Sequence, residues 1–167
     1  MERQKRDFLR VIESNQGIIK SLCKAYYPAP EDQKDVFQDI ILQIWKSFET
    51  FRGESLVSTW IYRVSLNTIL AKVRKEKKQI ITDPIGQSDL ALANAMTDDD
   101  MELLHMVLRS LKDVDKAIVI LYLEGYSSKE ISQVLNTTPS NITTRLSRVK
   151  VELKSKFQNQ RYELKQP

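Results

Sequence analysis

Cysteine and histidine are almost absent from this chain: its 167 residues hold one of each, Cys23 and His105. A single cysteine excludes an intramolecular disulfide. One Cys and one His are too few ligands for a protein-only zinc site of the usual type. Cys23, between Leu22 and Lys24, has the setting of a small buried helical residue, and His105 lies in the apolar run 103–108. Four glycines and five prolines are too little punctuation for a low-complexity or many-stranded chain. There is no Gly-rich phosphate loop, no Ser-His-Asp set and no ligand cluster, so no enzyme activity, catalytic residue, metal or cofactor is expected. No window approaches the roughly 18 consecutive apolar residues of a membrane span. The charged first ten residues lead into no apolar segment, so no signal peptide is expected either, and the expected location is cytoplasmic.

The longest stretch without Lys or Arg is 79–108, which holds Asp83, Asp89, Asp98, Asp99, Asp100 and Glu102. Lys and Arg crowd the segments on either side, so a net charge of +4 conceals a basic–acidic–basic order. That order suits nucleic acid without establishing it. A chain of this length allows one domain or two small ones. Halves of roughly 80 residues would have modest cores and marginal independent stability, to which a partner could add.

The hydrophobic period is helical throughout, which predicts an all-α fold. Phe8, Val11, Ile12, Ile18, Ile19, Leu22 and Tyr26 share one face of a segment over 4–27, with Asn15-Gln16-Gly17 as an expected break. Pro28 and Pro30 end it. Glu31 and Asp32 suit the first turn of a second helix, which runs to about Phe48. On that helix Val36, Ile40, Ile41 and Ile44 form an apolar face, while Asp35, Gln38 and Asp39 share a polar one. By itself such a polar face reads as solvated surface, and Trp45 reads as core. A break at Arg52-Gly53-Glu54-Ser55 leads to a third helix with Trp60, Arg63 and Asn67 at i, i+3 and i+7 on one face. Asn pairs with base edges, and Arg holds phosphate or guanine. Phe48 and Phe51 read as core. The helix ends in a basic run in which five of the seven residues 72–78 are Lys or Arg, including Lys72, Arg74 and Lys75.

Residues 79–98 are rich in breakers and read as a linker. Asp99 or Asp100 can cap a helix from Met101 to Lys112. A helix from Asp115 to Glu124 follows, with Gly125 at the left-handed C-terminal position. Ser127-Ser128-Lys129-Glu130 fits a capping box, with Tyr126 and Ile131 as its staple. That helix ends at Asn136. Thr138 caps the last helix, Pro139 opens it, and Ile142, Leu146, Val149 and Leu153 face inward as far as about Phe157. The tail 154–165 is expected to fray. A short helix, a tight turn and a long helix make a helix-turn-helix. Its second helix exposes Ser140, Asn141, Thr143, Thr144, Ser147, Arg148 and Lys150, which suits base edges in a major groove. A helical hairpin that binds protein would share this pattern.

Two stretches resemble the bacterial sigma factors, the promoter-specificity subunits of RNA polymerase, in their small two-domain extracytoplasmic-function group. D-V-F-Q-D at 35–39, F-R-G-E-S at 51–55 and T-W-I-Y-R-V-S-L-N-T at 59–68 resemble region 2. The run from Leu121 to Lys150 resembles region 4. Together the resemblance spans about 8–157. It implies two helical domains, region 2 over 1–78 and region 4 over 99–167, joined by a flexible acidic linker over 79–98 that passes near the polymerase active centre. It implies that Asp35, Gln38 and Asp39 dock on core RNA polymerase, and it places Trp45 near that face as the alternative to its reading as core. Trp60, Arg63, Asn67, Lys72, Arg74 and Lys75 would meet the −10 element, with one flipped base held beside the loop 50–59. Ser140, Asn141, Thr143, Thr144, Arg145, Arg148 and Lys150 would read the −35 element. The family often has Gly at the position of Ser140 and a basic residue at that of Thr143. It also implies an anti-sigma protein as regulator. A stand-alone helix-turn-helix regulator and a protein-binding module are the rival readings.

Overall fold

The computed structural model describes residues 2–82 and 106–163, and the chain divides into two compact units, Met1–Ala95 and Met96–Pro167. The described residues are helices and turns, with no strand among them.

The first unit is a bundle of α1 (Glu2–Tyr26), α2 (Pro30–Phe48) and α3 (Val57–Thr82), each helix packed on the other two. Its centre is branched aliphatic: Ile19, Leu22, Val36, Ile40, Ile44, Ile61, Leu66 and Ile69 are fully buried. Each such side chain contributes about 1.5–3 kcal/mol of burial. At one end five rings take over. Phe8 meets Trp45 and Phe48 edge-on at 4.8 and 5.6 Å, and Trp60 lies 6.3 Å from Phe48 and 4.7 Å from Phe51. This chain of rings ties all three helices to the loop between α2 and α3.

Helix α1 does not break at Asn15-Gln16-Gly17. The Asn15 amide donates back to Val11 O at 2.8 Å, and Lys20 donates to Gln16 Oε1 at 2.9 Å across one turn. With Phe8 anchored at one end and Ile19 and Leu22 at the other, packing outweighs the penalty of about 1 kcal/mol for a helical glycine. Cys23 is buried, and burial pushes its thiol up to about 11. The Pro28–Pro30 turn is tied by the Gln33 amide, which donates to Tyr27 O at 2.8 Å. Helix α3 runs on through Thr82, past the expected linker start at 79, because no breaker precedes Pro84. The rest of the 79–98 segment, its carboxylates, the Asp99 or Asp100 cap and His105 lie outside the described residues.

In the second unit residues 106–109 are helical and then stop, short of the expected Lys112. The Ser110 hydroxyl donates to Val107 O at 2.6 Å, and Leu111 N reaches Leu108 O at 3.1 Å, which tightens the last turn and closes it. Lys112 is extended and starts α4 (Asp113–Leu123), two residues earlier than expected, with Asp113 and Asp115 in its first turn. Gly125 (φ 88°) takes the left-handed position. Tyr126 N then bonds Leu121 O at 3.1 Å and Gly125 N bonds Tyr122 O at 3.0 Å, the paired bonds of a Schellman close.

Helix α5 (Ser128–Val134) opens on the expected box: Glu130 N donates to Ser127 Oγ at 3.3 Å and Ser127 N to Glu130 Oε2 at 2.8 Å. Asn136 adopts φ 52°, and Thr137 N closes the helix on Ser132 O at 2.9 Å. Asn tolerates this conformation better than other side chains do. Helix α6 (Pro139–Glu163) is capped by Thr138, whose Oγ1 accepts from Asn141 N at 3.2 Å. Ile142, Leu146 and Val149 are buried along it. It does not stop near Phe157 or fray over the whole tail; no Gly or Pro lies between 140 and 163, and Lys, Glu, Gln and Arg are good helix formers.

Candidate nucleic-acid interface

The loop between α2 and α3 encloses an open hollow of about 320 Å³ lined by Thr50, Phe51, Arg52, Glu54, Ser55, Trp60 and Arg63. Gly53 (φ 72°) supplies the left-handed turn that folds the loop over the start of α3. Trp60 is 8% exposed, so it is core first; the loop ring Phe51 covers it, and the ring that remains forms the hollow's floor. Phe51 is half-buried and also lines the hollow, so it is more than the core residue expected. Arg63 Nε is buried and has no hydrogen-bond partner among the described residues. A buried donor left so costs about 1–3 kcal/mol until an acceptor reaches it. Aromatic floor, free guanidinium nitrogen, hydroxyls and one carboxylate can stack and pair a planar, polar ring.

Asn67 is exposed beyond Arg63 on α3. Trp60, Arg63 and Asn67 therefore run from core to surface and do not share one open face. In the basic run Arg74 and Lys75 are exposed. Lys72 is not free: its ammonium lies 2.6 Å from Asp39 Oδ2, with side chains 29% and 49% exposed. The hydrogen bond to Asp39 raises its pKa, partial burial opposes this, and the charges of Asp39, Glu76 and Asp35 add to the rise. Glu76 accepts from Tyr27 OH at 3.1 Å.

The polar face of α2 spreads. Asp35 and Gln38 are exposed. Gln38 borders α1 in a hollow with Phe8, Phe37, Ile41, Leu42 and Trp45, while Asp39 borders α3 beside Lys72, Lys75 and Glu76. Trp45 is 38% exposed. It is a surface ring packed edge-on to Phe8 and not the core residue expected, because its site sits at the rim between α1 and α2.

On α6, Ser140, Asn141, Thr143, Thr144, Ser147, Arg148 and Lys150 are all exposed. Arg145 is half-buried and pairs with Asp115 of α4 at 2.7 Å. Lys150 Nζ lies 4.2 Å from the centre of the Tyr122 ring and donates to its hydroxyl at 3.1 Å. Arg148 has no hydrogen-bond or ion-pair partner among the described residues. Helical periodicity located the cations but gave no sign of Asp115 or Tyr122, whose partners lie 30 and 28 positions away. Thr50, Arg52, Glu54 and Ser55 were expected only collectively, as the loop 50–59 beside which the resemblance holds a flipped base; no signal singled out their side chains as its lining.

No cluster of three or more metal-binding side chains occurs among the described residues, and no described helix is long and apolar enough to cross a membrane. Residues 11–79 match the family model "Sigma-70 region 2" and residues 101–153 match "Sigma-70, region 4". The ECF RNA polymerase sigma-E factor of Haemophilus influenzae is 25% identical, over 92% of this chain and 89% of that one. Its namesake in Escherichia coli is 26% identical, over 84% and 81%. Among solved structures, the sigma factor RpoE of Bartonella quintana, in complex with the anti-sigma factor NepR, aligns with TM-score 0.72 at 18% identity, covering 93% of this chain and 96% of that one. CnrH, in complex with the cytosolic domain of CnrY, aligns with TM-score 0.66 at 16% identity, covering 93% and 90%.

Proposed function

This chain belongs to the sigma-70 family of RNA polymerase sigma factors, in its extracytoplasmic-function group, and from that premise we propose how its residues divide the work of promoter selection. Residues 1–78 act as region 2, 79–98 as the acidic linker and 99–167 as region 4. Asp35, Gln38 and Asp39 dock on core RNA polymerase. The outer face of α6, with Ser140, Asn141, Thr143, Thr144 and Arg148, enters the major groove at the −35 element, and Arg145 and Lys150 flank it. The α3 surface from Arg63 through Asn67 to Arg74 and Lys75 follows the −10 element, with Lys72 joining once Asp39 releases it. An anti-sigma protein that covers these faces is the expected regulator. The protein works in the cytoplasm and carries out no covalent step of its own.

The observation that carries the −10 assignment is the loop hollow with its unpaired Arg63 Nε. Promoter opening requires a base to leave the stack, at a cost of a few kcal/mol. Stacking on an aromatic face returns about 1–3 kcal/mol per base, and an acceptor on the base satisfies the buried Arg63 donor. The hollow thus favours the opened strand over the duplex, and this difference drives melting.

The test is reconstitution. Protein mixed with sigma-free core RNA polymerase should co-migrate on a sizing column, and an Asp35→Lys, Asp39→Lys double variant should not. The wild-type holoenzyme should make unpaired thymines near −10 reactive to permanganate, and Arg63→Ala should bind core normally yet lose that reactivity. A folded, monodisperse protein that never joins core polymerase would overturn the reading.

A further inference from the structure

Counted at about 100° per residue from Ile142, the centre of the buried face of α6, Ser140, Thr144, Ser147 and Arg148 fall roughly 120–160° away and point outward. Arg145 and Lys150 fall only about 60° and 80° away, on opposite flanks. Both turn back onto α4. Arg145 meets Asp115 in its first turn at 2.7 Å, and Lys150 covers the Tyr122 ring in its last turn at 4.2 Å. Asp115 is the more enclosed partner, its side chain 16% exposed. Lys156, further along the Arg145 flank, bonds Ser110 Oγ at 2.8 Å. The cations beside the core face of α6 are thus used inside the unit, while Arg148 is exposed on the outer face.

We infer that Asp115 and Tyr122 are positioning residues for promoter recognition: they hold the recognition helix by its own Arg145 and Lys150, one clip on each flank, and leave Arg148 as the cation of its first three turns that meets the DNA backbone. This rests on the promoter reading above. Two clips near opposite ends of α4 resist rotation of α6 about its axis, the motion that would swing Ser140 and Thr144 off the base edges. Most of the −35 contact is then uncharged, and only one phosphate contact comes from these three turns.

The test uses the holoenzyme and a promoter duplex that the wild type selects from a randomised library, with affinity followed against salt. Each phosphate contact contributes about 0.9 to the slope of log K against log salt. Arg148→Ala should lower the slope by about that amount. Arg145→Ala and Lys150→Ala should weaken binding several-fold with the slope unchanged. Asp115→Asn, which leaves the arginine in place, should do the same, and the exchange of Asp115→Arg with Arg145→Asp should restore most of the affinity. Tighter binding or a steeper slope for Asp115→Asn, or a slope loss for Arg145→Ala equal to that for Arg148→Ala, overturns the inference and leaves the promoter reading intact. A wild type that retrieves no duplex refutes both.

Discussion

Replacing Lys72 with methionine should tighten the grip of this protein on core RNA polymerase, although Lys72 lies on the helix proposed to follow the −10 element. Its ammonium holds Asp39 Oδ2 at 2.6 Å. Asp39 cannot give that oxygen fully to a polymerase donor while Lys72 keeps it. The side chains are 49% and 29% exposed, and a pair so open to water contributes about 0.2–1 kcal/mol. The upper figure is the most that docking can lose by breaking the pair, about fivefold in the binding constant. Methionine keeps the packed length of the side chain and removes the competing charge. Titration of fluorescently labelled protein with core polymerase should therefore show Lys72→Met binding up to about fivefold more tightly and Asp39→Asn more weakly. In the Asp39→Asn background Lys72→Met should have no effect. The gain should shrink as salt rises, because screening weakens the pair that wild type must break. If Lys72→Met weakens core binding, or its effect persists without the Asp39 carboxylate, the two faces do not compete for this contact.

Trp60→Ala should cost about 3–5 kcal/mol of stability, the range for a buried aromatic truncated in place, read as a fall in the urea midpoint; a loss below about 1 kcal/mol would place the ring outside the core. The Cys23 thiol ionises near 11 in the fold against 9.0 unfolded. Because the folded value is the higher, its contribution is complete below pH 9 and falls as pH climbs toward 11; Cys23→Ala should flatten that part of the melting profile, and thiol reagents should react slowly at neutral pH. Ser127→Ala should cost about 1 kcal/mol through the lost cap, seen in thermal melts. The Ser127 hydroxyl and backbone N–H hold the Glu130 carboxyl below its ordinary pKa, so the cap acts fully above the usual carboxylate range and weakens on acidification. In the Ser127→Ala variant this acid sensitivity should be smaller.

The helices were legible because their signals are local. The capping box at Ser127, the Thr138–Pro139 start and Gly125 in the left-handed position all use neighbours within four residues. The errors came where a local signal met packing it could not report. Asn15-Gln16-Gly17 has the composition of a break, yet Phe8 on one side and Ile19 on the other are fixed against the same bundle. Trp45 has the composition of a core residue, yet its turn of α2 sits at the rim, where water reaches one side of the ring.

The candidate interface shows the same division at greater cost, because charge is read by counting and used by pairing. The sequence offers three cations on the first three turns of α6 and a cluster at the end of α3. In the fold Arg145 is held by Asp115, Lys150 by Tyr122 and Lys72 by Asp39. None of these pairings is periodic, since each joins residues about 30 positions apart. A count of Lys and Arg therefore overstates the phosphate contacts the free protein is ready to make and misses the pairs in which Lys72, Arg145 and Lys150 are held. If Lys72, Arg74, Lys75, Arg145, Arg148 and Lys150 all met phosphate, a fourfold rise in salt would lower affinity by more than a thousandfold; with Arg145 and Lys150 held and Lys72 released on docking, four remain and the fall is about 150-fold. On the promoter reading proposed above, the shallower dependence would let uncharged contacts from Ser140, Thr144 and the loop hollow carry a larger share of the discrimination between promoters, since a phosphate contact strengthens binding to every sequence alike.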